Sequence, residues 1–264
     1  MLQEVKNQLR VTLKTIKYGL MREMLNKTSF IMNVFFMILN NASFIIQWFI
    51  IYTLKDDVGG YTFNQVLLLW GIAASVYGFS HFIFERSYNL SDVITNGKLD
   101  SFLIQPKNVL ISVITSDIKV SALGDIIYGY LVFAFSGFTV LKLLLFTFFS
   151  ITGAIIVTDF AVLLGSLSFW IGRSDMIADT GNSLCIWFST YSDGIFKGLA
   201  KILLLTIIPA GLTAYFPVWI MTKFDIKLVI LIISVTIVLT ILTFTIFYKG
   251  LKRYSSSNLM VSKI

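Results

Sequence analysis

The chain has little of the chemistry on which most enzymes depend. Its 264 residues include one cysteine, one histidine and three prolines, and only 13% of them are charged. A single Cys185 excludes a disulfide framework and a cysteine-based metal site. A single His81 excludes a histidine cluster that could bind a metal ion. The sequence therefore predicts no catalytic site, no metal site and no cofactor bound by this chain.

The sequence also lacks a nucleotide-binding loop. Its only Gly-Lys pair, Gly97-Lys98, is without the upstream glycine and the following Ser or Thr that a P-loop requires. No nucleophile elbow is present either. The chain therefore does not hydrolyse ATP by the P-loop route.

Hydrophobic residues are abundant instead. They make up 56% of the chain, and the mean hydropathy is +0.83, whereas a soluble domain has about 25% charged residues. A soluble core of this size cannot absorb so much apolar surface, which predicts an integral membrane protein. The net charge of +7 comes from basic residues beside apolar segments, which favours membrane orientation over nucleic-acid binding.

Residues 1–27 have the pattern of a helix that lies on the membrane. Apolar residues recur at steps of three and four, as in Val5, Leu9 and Leu13, and predict one apolar stripe. Basic residues such as Lys6 and Arg10 flank that stripe, where their charges reach phosphates. A secretory signal would have a continuous apolar block instead. We therefore predict an interfacial amphipathic helix.

Each membrane crossing needs about 20 apolar residues. Six segments are predicted to span: Ser29–Leu54, Phe63–Phe84, Ile114–Thr139, Leu141–Phe169, Met176–Thr190 and Lys227–Tyr248. Pro209 and Pro217 interrupt the apolar stretch Gly198–Met221, which predicts a broken or re-entrant pair. The expected fold is a single all-α integral membrane domain over residues 1–264, with a re-entrant hairpin before the last span.

The basic residues predict the orientation. Six lie on one side: Lys55, Lys142, Lys197, Lys201, Lys223 and Lys227. The other fifteen lie in the N-terminal helix, around the loop of residues 84–110, at Arg173 and in the C-terminal tail. The more basic side faces the cytoplasm. We therefore expect both termini and that loop, called the polar loop below, to be cytoplasmic.

Two spaced motifs stand out. The polar loop contains Gly97-x-Leu99-Asp100-x-x-Leu103-x-x-Pro106, and residues 191–221 contain Tyr191, Pro209-Ala210 and Tyr215-Phe216-Pro217. Together they resemble ABC-2 type transporter permeases, in particular the subfamily usually found as two permeases with one ATPase. The chain departs from that pattern at Ser192, where the subfamily usually has proline.

The resemblance implies the permease subunit of an ATP-driven exporter in a bacterial plasma membrane, moving an amphipathic substrate. It implies a second permease, identical or homologous, and two copies of a separate ABC ATPase that holds ATP and Mg. The helix expected within Phe84–Thr95 is similar to a coupling helix, and residues 191–221 are similar to the outer re-entrant hairpin that gates such exporters.

The polar loop also supplies a hypothesis about the ATPase contact. We expect Phe84, Tyr88 and Val93 to be its buried anchors, with Arg86 and Asp92 at its rim. The alternative is a connector that contacts no partner.

Two carboxylates fall inside predicted spans. Asp125 and Asp159 lie on neighbouring antiparallel segments, at related depths in the inner half of the bilayer. They are candidates for a substrate path that binds a cation. The alternative is a structural role, as an interhelical hydrogen bond or as a salt bridge to Lys119 or to the partner permease.

Two other function classes remain open. An ion-coupled secondary transporter would need internal repeats and charged midplane sites, and no repeat is visible at the level of residues. An intramembrane lipid-modifying enzyme would need a cluster of His, Asp or Glu on one face, which a single histidine disfavours. Transport without ATPase would favour the first class, and lipid turnover by the isolated chain the second.

Overall fold

The computed structural model of the chain describes residues 2–137 and 139–255. Three residues that enter the predictions lie outside these ranges. They are Met1 of the predicted interfacial helix, Phe138 of the predicted span Ile114–Thr139 and Lys263 of the count of basic residues. The described residues contain no β-strand and form thirteen α-helices. These are α1 Leu2–Glu23, α2 Lys27–Leu54, α3 Phe63–Phe84, α4 Leu90–Thr95, α5 Asp100–Leu103, α6 Val109–Ile114, α7 Ala122–Phe135, α8 Val140–Ser166, α9 Ser168–Ile171, α10 Asp175–Ser189, α11 Gly198–Thr206, α12 Phe216–Thr222 and α13 Ile226–Leu251.

The helix lengths confirm an all-α membrane protein. Within the described residues, four helical stretches are long and apolar enough to cross a membrane: Lys27–Leu54, Phe63–Thr95, Val140–Ile171 and Ile226–Leu251. A fifth crossing arises if α11 and the helix from Gly211 to Thr222 count as one bent span. The six-span count stays a prediction, because α7 and α10 have only 14 and 15 residues.

Helix α3 is the centre of the molecule. Buried residues make up 78% of its most apolar part, against 6% for α2. α3 and α7 cross at small residues, and a Cβ added at Gly129 would lie 2.6 Å from the carbonyl oxygen of Gly71. Ser75, one turn from Gly71, meets the same glycine. The Gly71-x-x-x-Ser75 spacing thus allows the two backbones to touch.

The predicted span Ile114–Thr139 is not one helix. α6 ends at Ile114 and α7 begins at Ala122. At the end of α6 the Thr115 hydroxyl donates to the Ile111 carbonyl at 2.7 Å and the Ser116 hydroxyl to the Val113 carbonyl at 2.7 Å. The following segment turns, and α7 spans only about 21 Å.

The chain between α10 and α13 is bent as its prolines predict. The axis of α11 meets that of Gly211–Thr222 at 72°. Pro209 lies at the bend, and its carbonyl accepts the Thr213 amide at 3.0 Å as a short π-helix, Gly211–Tyr215, begins. Pro217 enters the first turn of α12, where its missing N–H costs least.

Helix α1 lies against the end of the polar loop and the segment that follows it. The Gln8 side chain accepts the Asn108 amide at 3.1 Å, and Arg22 lies 3.2 Å from Asp117. The hydrogen bond to Asp117 raises the pKa of Arg22 further, so the guanidinium keeps its charge. The apolar stripe, including Val5 and Leu9, remains exposed.

Candidate functional site

The polar loop is a folded element at one end of the molecule, called the loop end. A 3-10 turn, Glu85–Ser87, leads into α4 after a break at Tyr88 and Asn89. Gly97 ends α4 with φ 69°, and the Lys98 amide returns to the Val93 carbonyl at 3.0 Å. A glycine adopts this left-handed conformation at least cost, as the Asn-Gly sequence predicts.

The inner face of α4 is fixed to the spans behind it. A Cβ added at Gly165 of α8 would lie 2.8 Å from the Leu90 Cβ, so this glycine lets α4 approach closely. The Ser91 hydroxyl lies 2.6 Å from that of Ser168, which lies 2.7 Å from that of Ser174. These buried contacts attach α4 to α8, to α9 and to the start of α10.

The residues expected to anchor an ATPase face inward. Val93 is fully buried by the chain itself, and Phe84 packs against the same apolar cluster. The Tyr88 hydroxyl lies 2.8 Å from that of Ser80, and its ring stacks on His81 with centroids 4.0 Å apart. Tyr88 and Val93 hold the polar loop on the spans and do not form its outer surface, whereas Phe84 also lines an open groove beside α1.

The two rim residues make contacts within the loop end. Asp92 lies 2.6 Å from the Lys98 ammonium, whose hydrogen bond lowers the pKa of that carboxyl below its usual value. Arg86 lies 3.9 Å from Asp117, the residue that also pairs with Arg22 of α1. The coupling role of all five residues stays a prediction.

The outer surface of the polar loop lies instead at the end of α5. Its exposed residues, called the exposed tip below, are Leu103, Ile104, Gln105 and Pro106, and Ile104 is 85% exposed. Two other residues of the first motif support this tip, one buried and one exposed. Leu99 is fully buried, and Asp100 accepts the Tyr254 hydroxyl at 2.8 Å. Burial and Asp100 raise the pKa of Tyr254, which therefore keeps its proton.

A cavity of about 750 Å³ lies between α2, α3, α7 and α10. Its described lining is mostly aromatic and aliphatic. Asp125 of α7 is its carboxylate, and the Asn41 amide of α2 donates to Asp125 at 2.5 Å. His81 also lines the cavity, but its ring nitrogen lies 2.6 Å from Glu85.

Asp159 lies elsewhere and does not line this cavity. Its carboxylate accepts the Thr240 hydroxyl at 2.6 Å, and its carbonyl accepts the Thr243 hydroxyl at 3.5 Å. Both partners are on α13, so Asp159 joins α8 to the last helix. The structure therefore does not bring the two candidate substrate-path residues into one site.

The opposite end of the molecule, called the far end, is closed by a polar cluster. The Tyr61 hydroxyl donates to buried Asp193 at 2.8 Å and accepts the Trp219 indole N–H at 2.8 Å. Lys201 lies 2.8 Å from the other Asp193 oxygen. Burial and Asp193 raise the pKa of Tyr61, which therefore remains a donor. These four residues form the far-end cluster, which joins the loop before α3 to the region before α13.

Comparison with known protein families identifies the family of this chain. The family model described as ABC-2 family transporter protein matches residues 37–258. The chain belongs to the ABC-2 transporter family. No curated protein and no solved structure matches it.

In this ABC-2 permease the second motif lies between the cavity and the far end. Tyr191 lines the cavity, with its ring 6.0 Å from that of Trp48. Ser192 has φ −63°, a value that proline also adopts. The serine therefore keeps the φ angle that a proline at this position would have. The Ser192 hydroxyl also donates to the Val58 carbonyl at 2.9 Å.

Sequence reasoning missed two sets of residues in this ABC-2 permease. Asn41, the partner of Asp125, was visible only as one of two adjacent asparagines in a largely apolar helix. The far-end cluster was visible only as Asp193 in the Tyr-Ser-Asp-Gly break. Both sets depend on pairings between residues far apart in the sequence, which spacing alone does not reveal.

Proposed function

We propose that this ABC-2 permease is the membrane subunit of an ATP-driven exporter that moves an amphipathic substrate. Two copies of a separate ABC ATPase, which holds ATP and Mg, dock at the loop end of a pair of permeases. The second permease is identical or homologous. The observation that carries the proposal is a polar loop with its inner face fixed to the spans and an apolar tip exposed.

The exposed tip suits a partner surface. Leu103, Ile104 and Pro106 are apolar residues on a loop that is otherwise rich in polar side chains. Apolar anchors surrounded by polar residues are typical of the centre of a protein interface. We therefore propose that the exposed tip, and not Tyr88 and Val93, makes the main contact with the ATPase.

The contacts of α4 give a path for the ATPase cycle to act on the spans. A push on the polar loop reaches α8 through Leu90 and Gly165, and reaches α10 through Ser91 and Ser174. α10 lines the cavity, so a displacement of the polar loop alters the cavity wall. Coupling of this kind is a rigid-body motion between two packings and needs no chemistry in the permease.

The proposal includes a topology. α7 and α10 are the short members of six spans, and α11 with α12 forms an outer re-entrant hairpin beside the far-end cluster. α1 rests on the cytoplasmic leaflet of a bacterial plasma membrane, and both termini are cytoplasmic. The exposed apolar stripe of α1 and the excess of basic residues on the loop side support this arrangement.

The substitution Ile104→Asp tests the docking surface. It places a charge on the most exposed apolar residue of the tip, so ATPase recovery with the purified permease should fall about tenfold or more. Leu25→Asp is the matched control, because Leu25 is 87% exposed and Ile104 is 85% exposed. Leu25 lies between α1 and α2, outside the polar loop.

Tyr88→Asp does not test the contact, since Tyr88 is packed on His81 and bonded to Ser80. Recovery is measured by quantitative mass spectrometry of the permease purified with its bound subunits. Full ATPase recovery with Ile104→Asp would exclude the exposed tip as the docking surface. An equal loss with Leu25→Asp would show that the effect is not specific to the tip.

A further inference from the structure

The cavity has an unequal distribution of charge. Among the described residues that line it, Asp125 is the one carboxylate, and none is Lys or Arg. His81 is the nearest basic side chain in the lining, and it is bonded to Glu85 on its own helix. Asp125 forms no ion pair within 4 Å with any residue that the structure describes, and the basic groups that act on its charge from farther away are those of His81 and Lys119. Its one side-chain partner is the neutral amide of Asn41.

The walls of the cavity are aromatic. The rings that line it belong to Phe44, Trp70, Tyr77, Trp187, Phe188, Tyr191 and Phe196. Phe44 stacks on Trp70 with centroids 5.1 Å apart, and Trp187 is exposed. Aromatic faces attract cations, and the attraction grows where water is excluded. A ring-lined space with a single carboxylate therefore favours positive charge over negative charge.

The size of the cavity fits a small organic molecule. Its volume of about 750 Å³ lies within the roughly 300–1,000 Å³ of typical ligand pockets. The lining runs from His81 and Asp125 near the loop end to Ile195 and Phe196 near the far end. A ligand with a charged group and an apolar body would place the charge at Asp125 and the body against the rings.

We propose that this cavity binds a lipophilic organic cation, with Asp125 as its counter-charge and the aromatic rings as its walls. The proposal rests on the proposed transport function and adds the substrate class. Asn41 is a positioning residue, since its amide holds the carboxylate from α2. Asp159 has no part in the site, because its carboxylate is bonded to Thr240 of α13.

The test is a binding measurement on the full chain in dodecyl maltoside, made by equilibrium dialysis. Radiolabelled tetraphenylphosphonium and tetraphenylborate are measured separately, because they have the same shape and opposite charge. After subtraction of binding to empty micelles, the wild type should bind the phosphonium at least about tenfold more tightly than the borate. Asp125→Asn keeps an oxygen that accepts from Asn41 and removes the charge, so it should abolish that preference.

Two further variants control for folding and for charge in general. Asp159→Asn removes the other candidate carboxylate and should bind both ions as the wild type does. Asp125→Glu keeps the charge and should keep the preference for the phosphonium. A preference that persists in Asp125→Asn would overturn the proposal and leave Asp125 as an interhelical contact.

The wild-type measurement stands even if a variant does not fold. A wild type without preference for the phosphonium would overturn the proposal by itself. The assay needs no ATPase, so failure of the transport function shows separately, as loss of ATPase recovery. A chain that recovers its ATPase and shows no charge preference would contradict the cation site alone.

Discussion

At the scale of single residues, three buried or half-buried aspartates occupy three different environments. Asp159 accepts hydroxyl protons from α13, Asp193 has a tyrosine and a lysine as partners, and Asp125 has one amide and an open cavity. A carboxylate in an apolar medium needs a partner. The first two have theirs within the chain, whereas Asp125 has room for one from outside.

The role of Asp159 gives a stability prediction. Thr240→Val removes the hydroxyl that donates to Asp159. Interhelical hydrogen bonds of this kind contribute roughly 0.6 kcal/mol in membranes, and up to about 1.7 kcal/mol. The apparent melting temperature in detergent should fall by a few degrees. Thr245→Val is the control, since Thr245 is exposed and bonds only its own helix at Ile241. Equal melting temperatures for the two variants would contradict the structural role.

The far-end cluster gives a second prediction. Lys201→Met leaves the buried Asp193 carboxylate without its cation, which costs about 1–3 kcal/mol. The apparent melting temperature should therefore fall. Lys197→Met makes the same change of charge four residues earlier, at an exposed lysine. It should melt as the wild type does, and a loss as large as that of Lys201→Met would point to net charge and not to the Asp193 contact.

A third prediction concerns the end of α4. Gly97 has φ 69°, and a residue with a Cβ costs roughly 1–2 kcal/mol in the left-handed region. Gly97→Val should lower both the melting temperature and ATPase recovery, because the polar loop shifts on the spans. Asparagine tolerates this conformation far better, so Gly97→Asn should retain most of both. Similar losses for the two variants would show that side-chain volume, and not backbone conformation, is decisive.

At the scale of elements, the polar loop shows where sequence reasoning succeeds. Its existence, its helix and its Asn-Gly stop could be predicted, because they depend on residues adjacent in the chain. The direction of its side chains could not. Tyr88 and Val93 were expected to face a partner, and they face Ser80, His81 and the apolar cluster of the same chain. The sequence of a short amphipathic helix does not show whether its apolar face packs on the same chain or on a partner protein.

The break between α6 and α7 shows the opposite case. Ile114–Thr139 is apolar enough to be predicted as one span. The hydroxyls of Thr115 and Ser116 bond the last turn of α6, and the Lys119 amide bonds the His81 carbonyl of α3 at 3.3 Å and not a carbonyl of its own helix. Apolar composition overestimates the length of this helix, because it does not reveal a backbone bond to another helix.

At the scale of the whole molecule, the two ends are joined by the helices around the cavity. α3 forms the centre, and the polar loop packs on α8 and on the start of α10. The chain continues from α10 into the second motif and the far-end cluster. The fold class and the family could be predicted from composition and from the two motifs. The cavity could not, because its residues come from α2, α3, α7 and α10 and share no local pattern.

We propose that this ABC-2 permease works through a separate ATPase. The most direct test is purification from native membranes, with the attached subunits identified by mass and the ATP hydrolysis of the complex measured. We expect one ABC ATPase for each permease chain and ATP hydrolysis by the complex. A chain recovered without an ATPase, which transports solutes into liposomes under an ion gradient alone, would contradict the proposed ATP-driven function.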